Sequence, residues 1–450
     1  MHPVKRTRRC HGVLCAGALA LTSLMCAAAV QAPGARLVAS PVAGWPQWRG
    51  PRRDGVSTEK GLLPSWPPEG PIRLWTAGGL GRGYSSPIVA YGRIVVTGDD
   101  GDICQIIALS MDGKEVWRAS NGRAWTGSYP GARACLAAAG GRSFHMNAHG
   151  RVACLEPATG REVWSVNTHE RFGARNIEWG RSECLLVDSD RVLVTVGGDR
   201  ALMAALDAHT GATVWTTPPL RLGTSEPPRY LRVAQPAGEA DGPSYASPLL
   251  VDFSGRRLAI GCSLRHVFCV DAKNGTLLWT RPLPTRYGVI GVTPVLVDGA
   301  IFVTAPDSPG GKLHRLEASG NGIDAREVWT TAVLNTCHGG VVAVGGSLYG
   351  SLYRRRGWAS LDARTGAVRY QFDALASGSV VWADGRLYCL AQDGEMALLK
   401  PGNAAFEVVG RFRATPSRRG DAWAHPVIVG GRLYLRTDDT LACYDVRSQR

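Results

Sequence analysis

Eight residues carry side chains suited to recognising a polar ligand: Tyr84, Ser86, Trp179, Glu183, Tyr245, His338, Trp423 and His425. Aromatic faces, hydroxyls, imidazoles and a carboxylate gathered at a concave surface would suit a small molecule, a glycan or a peptide. The same positions also read as ordinary half-exposed strand starts. Other candidates are weaker. His145-Met-Asn-Ala-His149 has the spacing of a metal pair only on a helix, and its surroundings read as a hairpin with the two histidines flanking the turn. Asp99-Asp100-Gly101-Asp102 reads as a strand turn rather than a calcium loop. Ser57-Thr-Glu-Lys60 matches a Ser-x-x-Lys pattern by chance. No Gly-x-Ser-x-Gly, His-Glu-x-x-His or phosphate-loop motif occurs. No catalytic residue and no metal site is therefore assigned.

The elements that must position these residues form an internal repeat. One unit is a small or proline residue, an apolar strand, a Gly turn, a second strand, another turn, and a strand ending in Leu-Asp-x-x-x-Gly before an aromatic. Leu206-Asp207 with Gly211 and Trp215, and Val270-Asp271 with Gly275 and Trp279, are clear copies. Leu155-Glu156 with Gly160 and Trp164, and Leu361-Asp362 with Gly366 and Tyr370, are two more. Ser110, Asp112, Gly113 and Trp117 form an altered copy, and Glu317 and Trp329 a stretched one. Opening strands begin near Pro87, Cys135, Cys184, Pro248, Pro294, Gly340, Ser379 and Pro426. Short alternating strands between Gly and Asp turns make antiparallel meanders, and such sheets bury both faces only when stacked radially. The fold class expected is all-β: an eight-bladed β-propeller of four-stranded antiparallel blades, closed by an N-terminal strand. Trp75, unmatched ahead of the first blade, supplies that strand, because the last blade stops at Cys443-Tyr444-Asp445 without its aromatic.

Aligning the blades places Tyr84, Arg133, Ser182, Tyr245, Gly291, His338, Ser377 and Trp423 at one channel mouth. Two residues on, and so on the same strand face, are Ser86, Cys135, Cys184, Ser247, Thr293, Gly340, Ser379 and His425. Glu183 and Trp179 lie beside the third member. Twelve cysteines invite disulfides in an exported chain. Cys10, Cys15 and Cys26 leave with the processed segment. Cys154, Cys269 and Cys443 share a slot that other blades fill with Ala or Ser, the mark of a buried free thiol. Cys135 and Cys184 sit at matching positions of adjacent blades, which leaves a disulfide open.

These endings resemble the repeat of pyrroloquinoline-quinone-type (PQQ-type) propellers. That superfamily includes the PQQ alcohol dehydrogenases and the propeller lipoprotein of the outer-membrane β-barrel assembly machinery. The resemblance spans about 75 to 450. The segment Trp45-Pro-Gln-Trp-Arg-Gly-Pro-Arg-Arg-Asp-Gly-Val-Ser57 is similar to the leader of exported PQQ-like repeat proteins. The resemblance implies either a scaffold or a dehydrogenase. The dehydrogenases carry a vicinal Cys-Cys disulfide, Ca²⁺ ligands and a catalytic Asp; this sequence has no Cys-Cys dipeptide. WD40 repeats are set aside, since their Gly-His and Trp-Asp pairs are missing.

The expected organisation is a signal peptide over 1–32, a Pro/Gly-rich leader over 33–70 and a propeller over 71–450, with a loop inserted at 217–244. Lys5, Arg6, Arg8 and Arg9 precede an apolar run from Val13 to Val30, and Val30-Gln31-Ala32 offers a cleavage site. Periplasmic or secreted localisation follows, with an uncleaved N-terminal anchor as the one membrane alternative. Net charge is +14, yet 45 of the 51 basic residues are Arg and the basic runs are short. No nucleic-acid partner is expected. The expected function is a monomeric binding or assembly scaffold for an envelope protein, peptide or glycan at the mouth, without cofactor. The alternative is a PQQ- and calcium-dependent alcohol or sugar dehydrogenase.

Overall fold

The computed structural model describes residues 34–221, 238–320, 322–414 and 421–448. Contacts divide the chain into Met1–Ala32 and Pro33–Arg450. The expected signal peptide lies outside the described residues, which all belong to the second unit.

That unit is an eight-bladed β-propeller. Blade 1 runs from strand Ile88–Ala90 out to Glu115–Arg123, blade 2 from Ala137–Ala139 to Glu162–Asn167, and blade 3 from Leu186–Asp188 to Thr213–Thr216. Blade 4 runs from Leu249–Phe253 to Leu277–Pro282, blade 5 from Val295–Val297 to Gly322–Thr331, and blade 6 from Val341–Val344 to Val368–Phe372. Blade 7 runs from Gly378–Ala383 to Phe406–Arg413. Within each of these, successive strands pair antiparallel. Blade 8 takes three strands from Val427–Val429 to Thr440–Asp445, and its outer strand is Arg73–Ala77, with Trp75 opposite Cys443. The ring is thus closed by the N-terminal strand that the unmatched Trp75 implies.

The repeat's ending has two physical jobs. Its acid holds the turn: Asp207 Oδ1 accepts the His209 and Thr210 N–H groups at 3.0 and 2.8 Å, an Asx turn. Its glycine leaves room for the neighbouring blade's tryptophan. A Cβ on Gly211, which also sits at φ +72°, would stand 2.7 Å from the Trp164 ring. The indole of Trp164 then donates to the Ala208 carbonyl at 3.0 Å. The same docking joins Trp75 to Gly113, Trp117 to Gly160, Trp215 to Gly275 and Trp329 to Gly366. Burial of such a side chain is worth roughly 1.5–3 kcal/mol.

Three interfaces depart from the rule. The stretched hairpin of blade 5 brings no acceptor to the buried Trp279 indole N–H. Tyr370 meets Phe406 edge-on at 4.8 Å. Blade 7 has Gly410 in the aromatic slot, opposite Leu398, and Trp66 packs there from outside the repeat.

The leader is part of the propeller rather than an appendage to it. Arg36–Leu37 adds a fifth strand to blade 4. Trp45 then exchanges backbone hydrogen bonds with Val89 of blade 1 at 2.8 and 2.9 Å, and Ala138 of blade 2 donates to Pro46 at 2.8 Å. Arg53 donates to the carbonyls of Cys184 and Leu185 at 2.6 and 2.9 Å, beside blade 3. Trp48 donates to Thr293 ahead of blade 5 (2.8 Å), and Arg49 to Val341 of blade 6 (2.5 Å). Ser57 reaches Trp382 and Ile428, in blades 7 and 8. Residues 45–57 therefore stop the channel at the far ends of the inner strands.

Cys154, Cys269 and Cys443 are free and buried, each opposite a docking tryptophan. At the base of the inserted loop, Arg221 bridges Ala240; residues 222–237 lie outside the described ones. No helix among the described residues is long and apolar enough to cross a membrane.

Candidate functional site

The channel mouth opposite the leader is a bowl of about 530 Å³. Trp48 forms its floor, reaching up from the leader. Tyr84, Tyr245, His338 and Trp423, each just ahead of an inner strand, line the wall, as does Trp179. Trp423 is the hub of one side: the rings of His338, Tyr84 and Tyr129 lie 4.7, 4.9 and 5.2 Å from it. Trp179 and Tyr245 pair at 6.0 Å on the opposite side. Aromatic rings at such spacings hold one another in place and leave faces for a ligand.

The charged groups of the bowl are already engaged. The Arg133 guanidinium donates to four carbonyls, those of Trp179, Gly131, Ser128 and Tyr129, at 2.6–3.1 Å. Burial lowers its pKa to about 10, so it stays charged. Its work is to tie the rim loop to the wall. Arg354 pairs with Asp307 through two hydrogen bonds, 2.7 and 3.1 Å.

Five of the eight residues singled out from the sequence thus line the bowl: Tyr84, Trp179, Tyr245, His338 and Trp423. Ser86, Glu183 and His425 are buried behind the wall and floor. Trp48 covers His425, with ring centroids 4.5 Å apart, and His425 Nε2 donates to the His338 carbonyl at 2.9 Å. Ser86 Oγ accepts the His425 N–H at 2.7 Å. Glu183 accepts the Thr195 N–H at 2.9 Å and lies 3.6 Å from Arg181, with neither side chain exposed. Burial raises the Glu183 carboxyl to about 7, against the pull of Arg181 and Arg53. These three residues shape the site without facing it.

A second ring of residues explains that burial. The backbone N–H of one member repeatedly donates to the side chain of the corresponding member in the next blade: His425 to Ser86, Cys184 to Ser247, and Cys135 to Cys184 Sγ. The ring is thus spent on joining blades, and the leader lies across part of it. A Cβ at Gly340 would fall 2.0 Å from an Arg49 guanidinium nitrogen. The remaining candidates sit apart. His145 is buried beside Asn121 Nδ2 (2.8 Å), while His149 contacts the Ala124 carbonyl (2.9 Å), across the expected hairpin turn. Asp99 and Asp100 end a strand, and Asp99 accepts the Trp125 N–H at 2.9 Å.

The profile of the family described as outer membrane protein assembly factor BamB matches residues 105–242 and 265–450. The chain belongs to the BamB family. The leader segment that floors the bowl lies outside both matched stretches. BamB from Moraxella catarrhalis is similar in structure at a TM-score of 0.55 and 15% identity, over 84% of this chain and 98% of that one. Quinohemoprotein alcohol dehydrogenase from Comamonas testosteroni reaches 0.60 at 13% identity, over 90% and 81%. The computationally designed Ika8 protein reaches 0.53 at 10%, over 83% and 100%. At these identities the likeness is one of fold. No curated protein matches the sequence significantly.

Sequence reading missed Trp48, Tyr129, Tyr287, Tyr353 and the Asp307–Arg354 pair, all at the bowl. Tyr129 and Tyr287 each stand four residues ahead of a mouth position, in loops of unequal length that blade alignment passes over. Trp48 left a signal in the tryptophan-rich leader, but nothing in the repeat pointed to where that leader returns.

Proposed function

We propose that this BamB-family propeller is an exported, monomeric binding or assembly scaffold that takes an envelope protein, peptide or glycan at its aromatic mouth. The observation that carries this reading is the bowl itself. Tyr84, Tyr129 and His338 gather around Trp423, Trp179 pairs with Tyr245 opposite, and Trp48 closes the floor. Such a surface stacks against sugar rings or aromatic and proline side chains. Its cations are tied to carbonyls or to Asp307, so recognition rests on flat apolar faces.

The dehydrogenase reading asks these residues to hold PQQ, a tricarboxylate, together with calcium. They fit poorly. Arg133 has four of its five N–H donors on backbone carbonyls, and Arg354 is paired. Among the described residues no group of three or more His, Cys, Asp or Glu is placed to share a metal ion. The reading therefore assigns no quinone cofactor and no catalytic base.

Titration of the full chain with peptidoglycan fragments and with aromatic-rich peptides, followed by tryptophan fluorescence, tests the proposal. Saturable quenching that Trp423→Ala reduces at least tenfold in affinity is expected. No response from either probe class, or equal binding by Trp423→Ala, overturns it. Tight calcium-dependent quenching by PQQ would return the dehydrogenase reading.

A further inference from the structure

We infer that Cys135 and Cys184 form a peroxide-oxidisable dithiol whose disulfide staples blade 2 to blade 3 beside the mouth. Their sulfurs stand 3.3 Å apart, and both residues are buried. The second-ring geometry creates this closeness. At three junctions of that ring the side chain of one member meets the backbone N–H of the preceding one, and here the two members that meet are both cysteines. Cys184 Sγ occupies the place that Ser247 Oγ and Ser86 Oγ hold at other junctions, accepting the Cys135 N–H at 3.2 Å. Closing 3.3 Å to a bonded sulfur pair asks for about 1.2 Å of movement, which two χ1 rotations can share. All nine described cysteines are free thiols, these two included.

The two thiols are not equivalent. Cys184 contributes to the wall of the bowl, whereas Cys135 does not. A peroxide entering the mouth meets Cys184 first. Burial alone would raise the Cys184 thiol, but the Cys135 thiol and N–H and the Arg53 guanidinium outweigh it and hold the group below its ordinary value. Burial pushes Cys135 well above its own. Arg53 is placed by its hydrogen bonds to the Cys184 and Leu185 carbonyls. The leader thus supplies the cation that favours the attacking thiolate.

The chemistry balances with hydrogen peroxide as oxidant. The Cys184 thiolate attacks one peroxide oxygen and the O–O bond breaks. A sulfenic acid forms on Cys184, and the departing hydroxide takes up the proton lost by the thiol to give water. Cys135 sulfur then displaces the sulfenic hydroxyl, which leaves with the Cys135 proton as a second water. The S–S bond forms, two thiols lose two electrons, and the peroxide is reduced to two waters.

The test is peptide mapping of the full-length protein, reduced, desalted and exposed to equimolar hydrogen peroxide. Trypsin releases Cys135 in 134–142 and Cys184 in 182–191. The expected product is those two peptides joined, at a mass two hydrogens below their sum. Closing the 49-residue separation is also expected to raise the thermal midpoint by roughly 4 °C. In Cys135→Ser, oxidation is expected to stop at a sulfenic acid on Cys184 that a dione probe captures. If that variant fails to fold, the wild-type map decides alone. Both thiols remaining alkylable, or Cys184 passing to sulfinic acid with Cys135 still free, overturns the inference.

Discussion

Trp66 fills the space that Gly410 leaves empty: a Cβ added to Gly410 would stand 2.7 Å from the Cβ of Trp66. Gly410 occupies the slot in which most blades carry their docking aromatic, and the Trp66 N–H donates to the adjacent Val409 carbonyl at 3.0 Å. The ring of Trp66 packs edge-on against Phe412 at 5.4 Å and Tyr388 at 5.6 Å. Blade 7 thus borrows from the leader the wedge that its own sequence lacks.

Trp66→Ala is expected to cost about 3–5 kcal/mol by emptying that wedge. Gly410→Trp alone should also destabilise, because the new indole meets the old one. The double variant should recover part of both losses. Denaturant midpoints of the four proteins give the coupling energy, and strict additivity would remove the idea that the two residues share one slot.

Docking tryptophans should differ in what their indole N–H contributes. Trp164→Phe forfeits the bond to the Ala208 carbonyl, at a cost of about 1 kcal/mol beyond any lost packing. Trp279 has no protein acceptor for its buried N–H. Trp279→Phe is therefore expected to be the milder change, visible as the smaller fall in thermal midpoint.

Arg53 holds the leader in the channel through carbonyl bonds to Cys184 and Leu185 and a 3.1 Å bond to Gln47 Oε1. Arg53→Met leaves those buried acceptors without their donor and should cost about 2–4 kcal/mol. Trypsin cleavage after Lys60 should accelerate severalfold as the leader loosens. An unchanged cleavage rate would mean that the other leader contacts suffice.

Stability should fall on acidification. Burial lowers His145 and His425 to about 3, with Arg49 also acting on His425. Unfolded histidine takes up its proton near pH 6.5, so the folded state is fully favoured above that pH and loses up to about 1.4 kcal/mol per unit per histidine below it. Glu183, raised to about 7, acts in the opposite sense. Its contribution is fully present below the unfolded carboxyl value near 4.3 and is lost as pH rises to about 7. Glu183→Gln should therefore steepen the rise in stability between pH 4.5 and 6.5, as read from denaturant curves across that range.

The blades were legible because their signals are local and repeated. Asp207 caps a turn three residues long, and Trp164 finds Gly211 one period away; each copy reinforces the others. Tyr84, Tyr245, His338 and Trp423 could be placed at one mouth for the same reason, since equivalent positions of a ring must face one axis. Ser86 and His425 were harder. Their burial depends on Trp48 and on bonds between second-ring neighbours, and the leader makes each of its contacts once. A contact without a repeat leaves no period to detect. The closeness of Cys135 and Cys184 is intermediate: alignment brings their positions together, but only the direction of the second-ring side chains brings their sulfurs together.

The leader also has a bearing on the order of folding. Residues 45–57 and the strand Arg73–Ala77 are synthesised before any blade, yet Ile428 and Tyr444 are among their partners, more than 350 positions later. Contacts of such separation form slowly, because a long loop must close before they are rewarded. The leader can meet blades 1 to 3 as they form, but the contacts with Ile428 and Tyr444 must wait until the last blade arrives. Blades 1 to 7 can form their hairpins in sequence, whereas completing the plug and locking the ring are late and concerted events.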